Sequence, residues 1–227
     1  MKKILFAISF ALCALLCTSF PASSGKPFEG VITFKITYPD NKISESQMAM
    51  FPKVLTVSVK GSKARTDMEL SGMKTVEITD CVDKTKVALL NMMGQKYAIK
   101  QNAAEIEKEL GKEAKPTVEL SSETKVIAGY TCKKAVVTVN DDGVKSTYEV
   151  YYSNELGSKT VNFDNPLYKE IDGVLLEFSM KNRDINMKFT ATSIEKKSLS
   201  AKDFEIPSDY TVTTQDELKS KFGGGTE

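Results

Sequence analysis

Alternation of apolar and polar residues is the dominant pattern of this chain, and it is clearest between Tyr130 and Tyr152. Two runs of β-branched and aromatic residues there flank Asn140-Asp141-Asp142-Gly143, whose residues tolerate the left-handed backbone of a tight turn. In the second run Tyr148 and Val150 share one face, and the charged residues fall on the other. Such alternation predicts an antiparallel hairpin with one face on a core and one in water.

The same pattern predicts strands on both sides of the hairpin. Towards the N terminus they cover residues 28–38, 54–60, 63–70, 74–80, 87–90, 96–99 and 119–126. Towards the C terminus they cover residues 174–181 and 185–192, and their polar positions, including Glu177, are expected to face water. The apolar faces of the strands carry Phe34, Ile36, Tyr148, Val150, Phe178, Met180, Met187 and Phe189.

One short helix interrupts the strands. Asn102 is a good N-cap with Glu105 three positions later, and Ile106 and Leu110 follow at helical spacing before Gly111. A helix of about nine residues does not hold alone in water, so it needs an apolar support. We therefore expect it to lie against the sheet.

These elements predict a mainly β fold: one large, curved antiparallel sheet that forms an incomplete, half-open β-barrel. A sheet of this size must curl or be covered to bury its apolar face, and one short helix is little cover. Ile106 and Leu110 would form a helical lid, with the loop around Pro166 beside them in the mouth of the barrel.

The first 24 residues have the features of a secretory signal peptide. Lys2 and Lys3 precede an apolar run, and Ala22-Ser23-Ser24 supplies small residues for cleavage. Residues 25–227 are expected to form a single domain, because no repeat or low-complexity linker marks a boundary within them. Residues 217–227, which include a glycine run, are expected to be a flexible tail.

An exported protein of this kind would lie in the periplasm or at the periphery of the outer membrane. Cys13 and Cys17 keep a lipid-anchored alternative open, although Leu12 and Leu16 stand where a lipidation site has a small residue. Peripheral association with a membrane is compatible with either alternative.

Charge argues against nucleic acid as a partner. Removal of the leader takes two of the 31 basic residues and leaves the rest nearly balanced by 30 acidic residues. Arg65 and Arg183 are the only arginines in the sequence, so bidentate sites for phosphate are scarce. Two cysteines, Cys81 and Cys132, remain beyond the leader, and the sequence leaves open whether they form a disulfide or stay as buried free thiols.

Residues that catalysis commonly uses are scarce. The chain contains no histidine, which removes Ser/His and Cys/His pairs and imidazole ligands for a metal. A hydrolase that pairs a serine with a lysine stays possible, because three lysines lie on predicted strands: Lys63, Lys133 and Lys134. Asn140-Asp141-Asp142-Gly143 lacks the alternate carboxylates of a calcium loop. No catalytic residue, metal site or cofactor is therefore predicted.

Methionine is the unusual residue of the sequence. Eight of the nine methionines lie beyond the leader, and Met180 and Met187 among them fall on apolar strand faces. The flexible thioether lines adaptable apolar grooves, and it fills ordinary cores as readily. If the methionines line a groove, the eight apolar strand residues named above would form the lining of a ligand site.

Several segments carry a family resemblance: FEGVITFKITYPD, IAGYTCKKAVVTVNDDG followed by YEVYYS, IDGVLLEF and FEIPSDYT. The most specific are I-x-G-Y-x-C-K-K at Ile127–Lys134 and F-x-I-P-x-x-Y at Phe204–Tyr210. The chain resembles a family of exported bacterial domains of unknown function that are similar to LolA/LolB-type periplasmic lipoprotein carriers. The resemblance implies a half-open barrel with a helical lid and an apolar interior suited to acyl chains. It transfers no catalytic residue.

Two functions of different class are compatible with these observations. The first is a non-catalytic cell-envelope protein that binds a lipid or an acylated protein in its apolar groove and needs no cofactor. The alternative is a structural or interaction module whose core is filled by its own side chains and which binds no small ligand. The sequence sets neither the ligand nor the oligomeric state.

Overall fold

The computed structural model describes residues 28–39, 44–70, 73–92, 94–141, 143–182 and 185–222. The predicted leader with Cys13 and Cys17, together with Arg183 and residues 223–227, lies outside the described residues. None of the helices in the described ranges is long and apolar enough to cross a membrane.

Twelve strands and three α-helices make up the described part of the chain. The strands are β1 Gly30–Thr37, β2 Val54–Lys60, β3 Lys63–Leu70, β4 Met73–Asp80, β5 Thr85–Met92, β6 Gln95–Gln101, β7 Thr117–Ile127, β8 Tyr130–Asp141, β9 Val144–Ser153, β10 Val174–Asn182, β11 Ile185–Lys196 and β12 Thr211–Thr213. The α-helices are α1 Glu45–Met48, α2 Ala103–Leu110 and α3 Gln215–Phe222, and 3-10 turns cover Lys159–Asn162 and Ala201–Phe204. The predicted mainly β fold is confirmed.

All twelve strands belong to one open sheet, in the order β12-β6-β5-β4-β3-β2-β1-β11-β10-β9-β8-β7. The pairing of β12 with β6 is parallel, and the others are antiparallel. Two meanders, β2 to β6 and β7 to β11, lie side by side. β1 joins them, because it pairs with β2 along one edge and with β11 along the other.

The sheet is strongly curved towards its β7 end. Residues of β7 and β11 approach within 8 Å between Cα atoms, although β8, β9 and β10 stand between them in the sheet. In a flat sheet, four strand spacings would separate them by roughly 19 Å. The curl therefore shields side chains that a flat sheet would leave in water.

Local chemistry explains the central hairpin and helix α2. Asp141 pairs with Val144, so the chain reverses between them, where Gly143 has φ +84°. At α2 the Asn102 Oδ1 accepts a hydrogen bond from the backbone N–H of Glu105 at 3.1 Å. The Glu105 side chain in turn accepts one from the N–H of Asn102 at 2.8 Å. The predicted hairpin and capping box are both present.

Four features of the fold differ from the sequence prediction. The alternation pattern marked neither α1 nor β12. Residues 217–222, which the sequence assigned to a flexible tail, belong to α3. Glu177, expected in water, is only 6% exposed, because Lys125 of β7 and Lys188 of β11 close over its carboxylate.

The inner face of the sheet is defined here as the face that carries Phe178. On this face Tyr168 and Ile171, both fully buried, pack against Val150 of the hairpin. Residues 159–172 thus lie over the β8–β10 part of the sheet and are called the covering segment.

The opposite face of the sheet has a different cover, which lies over β4 and β5 and is formed by residues that follow β11. Val76 and Ile78 of β4 alternate with Glu77 and so project to the opposite face. They form a buried cluster with Phe204, which is 5% exposed. Each face of the sheet therefore has its own cover, and the covering segment is the cover of the inner face.

Candidate functional site

A cavity of about 400 Å³ opens on the inner face between the sheet and the covering segment. The apolar part of its sheet side comes from β1, β2 and β10, with Ile32, Phe34, Leu55, Val57, Phe178 and Met180. Strands β3 to β5 add polar residues to the lining: Lys63, Thr66, Glu77, Thr79 and Lys86. The covering segment closes the other side with Val161, Asn162, Asp164, Asn165 and Pro166. The volume is in the range of pockets that hold one small apolar ligand.

Phe178 stands at the centre of the apolar wall. Its ring stacks on that of Phe189, with centroids 4.8 Å apart and an interplanar angle of 9°. It also meets the rings of Phe34 at 6.0 Å and Tyr168 at 5.9 Å, both edge to face. Contacts on three sides fix the Phe178 ring, so the wall is formed before any ligand arrives.

Buried hydrogen bonds hold the covering segment in place. The Tyr168 hydroxyl donates to the carbonyl of Ser179 at 2.5 Å, and burial raises the pKa of Tyr168, so the phenol stays a donor. The Asn162 side-chain amide donates to the carbonyls of Ile171 and Gly173, both at 2.9 Å. The Tyr168 bond therefore ties the segment to β10, and the Asn162 bonds tie the beginning of the segment to its end.

One charged cluster marks the mouth of the cavity. Lys86 Nζ lies 3.0 Å from Glu77 Oε2 and 3.1 Å from Asp164 Oδ2. Burial opposes the charge of Lys86, but attraction to Glu77 and Asp164 leaves its pKa above the ordinary value. For Glu77 burial outweighs the attraction of Lys86, and the like charge of Asp164 adds to it, so its pKa is raised. Since Asp164 belongs to the covering segment, this cluster ties that segment to β4 and β5.

The eight residues predicted to line a groove fall into three groups. The cavity wall contains three of them: Phe34, Phe178 and Met180. The core cluster beside that wall, on the same face of the sheet, contains three others: Ile36, Met187 and Phe189. The remaining two pack in the cluster under the covering segment: Tyr148 and Val150. The structure thus brings the first three together at one surface.

Helix α2 lies beside the mouth of this cavity. Ile106 and Leu110, predicted as a lid, line a smaller cavity of about 170 Å³ together with Pro166. Lys86 and Asp164 line both cavities, so the two spaces adjoin at the charged cluster. Movement of α2 as a lid stays a prediction.

Sequence reasoning missed part of the site. Leu55 and Val57 alternate with Thr56 in a predicted strand, so the sequence showed that they share a face. It did not show that they line the cavity. The sequence did not indicate that Glu77 and Lys86 belong to the site, because charged residues on strands usually face water.

Both cysteines are free in the structure. Cys81 lines the cavity, and burial, together with the negative charge of Asp80, raises the pKa of its thiol. Cys132 on β8 is fully buried, and burial raises its pKa to about 11. Neither thiol is in its nucleophilic thiolate form at neutral pH.

The lysines of the Ser/Lys alternative lie in different surroundings, and Lys63 lines the cavity whereas Lys134 is paired with carboxylates. Lys134 Nζ lies 2.7 Å from Glu149 and 3.1 Å from Glu123, and these hydrogen bonds raise the pKa of Lys134. A lysine held protonated in this way is a poor base for a Ser/Lys pair. No group of three or more Cys, Asp or Glu side chains that could hold a metal occurs in the described residues.

Comparison with known proteins gives the chain a family. Residues 53–221, from the residue before β2 into α3, match the family described as "N-glycanase peptide, N-terminal domain". The match covers more than half of the chain. The chain belongs to this family. In this member of the N-glycanase N-terminal domain family, the matched residues include most of the cavity wall and the whole covering segment, but not β1.

The similarity to one solved structure is weak. LprF from Mycobacterium bovis is 10% identical, with a TM-score of 0.32 over 81% of this chain and 90% of LprF, a likeness that supports no conclusion. No curated protein matches the chain. Of the resemblance to LolA/LolB-type carriers, the large open β-sheet is confirmed, and the carrier function stays a prediction.

Proposed function

We propose that this N-glycanase N-terminal domain family member is a non-catalytic envelope protein that holds a lipid or lipid-modified partner by its acyl chain. The observation that carries the proposal is the inner-face cavity, whose wall is apolar and held rigid around Phe178. Each methylene moved from water into such a wall contributes about 0.8 kcal/mol. An acyl chain would bury its methylenes against the apolar wall, and its polar head would lie near the charged cluster at the mouth of the cavity.

The chemistry around the cavity supports a role without catalysis. Lys86 is already paired with two carboxylates, and the Cys81 thiol stays protonated at neutral pH. The sequence supplies no histidine that could act on a ligand in the cavity. The apolar leader supports export, which places the proposed function in the periplasm or at the outer-membrane periphery.

Purification without detergent, followed by native mass spectrometry and organic extraction, tests this proposal. Ala64, on the cavity wall, is replaced by Trp to fill the space without adding charge. Ala104, exposed on α2, is replaced by Trp as the matched control. We expect acyl-bearing species to accompany the parent chain and the Ala104→Trp chain, and to be lost from folded Ala64→Trp. Equal lipid content in the two variants, or none in the parent when lipid is offered, would contradict the proposal.

The family description favours a second candidate, an interaction module that works beside an enzyme and binds no small ligand. That description is of an N-terminal domain of an N-glycanase peptide. A solvatochromic dye separates the candidates, since it reports an accessible apolar cavity. Dye binding that Ala64→Trp abolishes supports the lipid-binding function, whereas no dye binding by the parent chain supports the interaction module.

A further inference from the structure

The methionines of this chain gather at one end of the sheet. β1, β3, β5, β8 and β10 end there, and their antiparallel neighbours β2, β4, β6, β9 and β11 begin there. Met73 begins β4 and Met92 ends β5. Met68, Met180 and Met187 each lie two residues from a strand end at this same edge. This edge is called the methionine end.

The connection between β1 and β2 adds two more methionines to the methionine end. Met48 closes α1 and Met50 follows it, just before β2 begins at Val54. Seven of the eight methionines beyond the leader therefore lie at this end, and the eighth, Met93, is outside the described residues. Met68 and Met187 pack against the core cluster, whereas Met50 and Met180 are exposed and so are accessible at this end.

Exposed apolar side chains mark the same end. Met50 is 58% exposed, Val54 is 51% exposed, Val144 at the tip of the β8–β9 hairpin is 67% exposed, and Met180 is 36% exposed. Met50 and Val54 lie at the β1–β2 connection, Val144 at the β8–β9 hairpin and Met180 near the end of β10, so they belong to three separate tips.

Each of three tips pairs an exposed apolar residue with an exposed lysine. Lys53 precedes Val54, Lys145 follows Val144, and Lys181 follows Met180, and all three lysines are exposed. Apolar residues that enter an interface, flanked by lysines that meet anionic head groups, are typical of proteins that bind to a lipid surface.

We propose that the methionine end docks on an anionic lipid surface. The exposed Met50 and Met180, on separate tips, suit a fluid surface, which needs no fixed shape complementarity, and the adjacent lysines supply charge complementarity. Met180 also lines the inner-face cavity, so docking would bring that wall towards the lipid. The docking surface does not depend on the cavity being a ligand site.

Vesicle co-sedimentation tests the apolar tips. The protein is recovered after expression with its own leader, so every variant carries the same processed N terminus. Met50→Ser/Val54→Ser is compared with Val82→Ser/Val126→Ser, whose valines are 75% and 69% exposed near the other end of the sheet. On vesicles of phosphatidylcholine with phosphatidylglycerol, we expect the first variant to lose about tenfold in partitioning and the second to match the parent chain.

The lysines are tested with the same vesicles. Lys53→Gln/Lys145→Gln/Lys181→Gln should lose the preference for phosphatidylglycerol over pure phosphatidylcholine, and the binding that remains should not depend on salt. The matched control carries Lys84→Gln/Lys100→Gln/Lys133→Gln, which removes exposed lysines near the other end, and it should keep that preference.

Three results would overturn the docking proposal. They are no vesicle binding by the parent chain, equal loss in the two apolar variants, and equal loss in the two lysine variants. If the protein bound vesicles through its N terminus instead, all variants would bind as well as the parent chain. The Ala64→Trp chain should still bind vesicles, so failure of the cavity proposal and failure of the docking proposal give different results.

Discussion

Lys125 Nζ lies 3.0 Å and 2.9 Å from the two carboxylate oxygens of Glu177 and so joins β7 to β10 across two intervening strands. Lys188 Nζ is 3.1 Å from the same carboxylate, and the Thr190 hydroxyl donates to it at 3.2 Å. The Glu177 side chain is 8% exposed. The neighbouring strand β11 supplies Lys188 and Thr190, and the curl of the sheet adds Lys125, so the carboxylate is buried with three partners.

Removing the charge of Glu177 should weaken the fold. Glu177→Gln leaves two lysines beside a neutral group, so we expect the free energy of unfolding to fall by about 2 kcal/mol. Glu195→Gln is the matched control, because its pair with Lys197 at 2.9 Å is exposed and contributes little. Urea unfolding, followed by circular dichroism, measures the unfolding free energy of both variants. Equal losses in the two variants would show that burial of the Glu177 carboxylate does not matter for stability.

The same carboxylate predicts a pH dependence. Burial raises the pKa of Glu177, but hydrogen bonds from Lys125 and Lys188 more than offset it, so the pKa lies below the ordinary 4.5. The unfolded chain then takes up this proton more readily than the folded chain. The stability that Glu177 contributes is present above pH 4.5 and is lost as pH falls below it.

We therefore expect the difference in unfolding free energy between the parent chain and Glu177→Gln to be constant above that pH and to shrink as the pH falls below it. Unfolding titrations at neutral and acid pH measure it. A difference that stays the same at both values would mean that the Glu177 charge is not what stabilises the fold.

The charged cluster at the cavity mouth predicts how fast Cys81 reacts. Asp164→Asn removes one of the two carboxylates that hold Lys86 and so loosens the covering segment. Alkylation of Cys81 should become about threefold faster, because local opening limits access to the thiol. Peptide mapping after a timed reaction measures the rate at each cysteine.

The control for this experiment is Glu170→Gln, another carboxylate of the covering segment. Its contact with Lys159 is 3.9 Å long and exposed, so its loss should leave the rate unchanged. Cys132 is fully buried and should stay unmodified in every folded variant. Equal rates for the Asp164 and Glu170 variants would show that the cluster does not hold the covering segment.

Phe204 should anchor the cover of the opposite face. It is 5% exposed and packs on Val76, Ile78 and Leu89. Phe204→Ala should lower the unfolding free energy by about 3 kcal/mol, and Phe204→Leu by about 1 kcal/mol, since leucine keeps most of the apolar volume. Thermal unfolding compares the two, and a cost near zero for alanine would mean that residues after β11 are not part of the core.

The sequence predicted those features that depend on neighbouring residues. Alternation around Phe34 and around Phe178 marked β1 and β10, and Asn102 with Glu105 marked the start of α2, because each signal lies within a few residues. The partners of Glu177 could not be predicted, since Lys125 lies 52 residues away in the chain and meets it only through the curl of the sheet.

The candidate site was predicted in part for a related reason. Alternation identified which side chains share the inner face, and Phe34 and Phe178 do line the cavity. It could not show which part of that face stays open. Tyr148 and Val150 are covered because Tyr168 packs over them, and the covering segment has no periodicity that would have revealed its position.

The central place of β1 has a consequence for the folding kinetics. The Thr192 hydroxyl donates to the carbonyl of Thr33 at 3.1 Å, although the two residues are 159 positions apart. Pairings between such distant segments form slowly. Until β11 arrives, one edge of β1 lacks its strand partner while carrying Ile32 and Phe34, so a chain that stopped short of β11 would present an aggregation-prone edge.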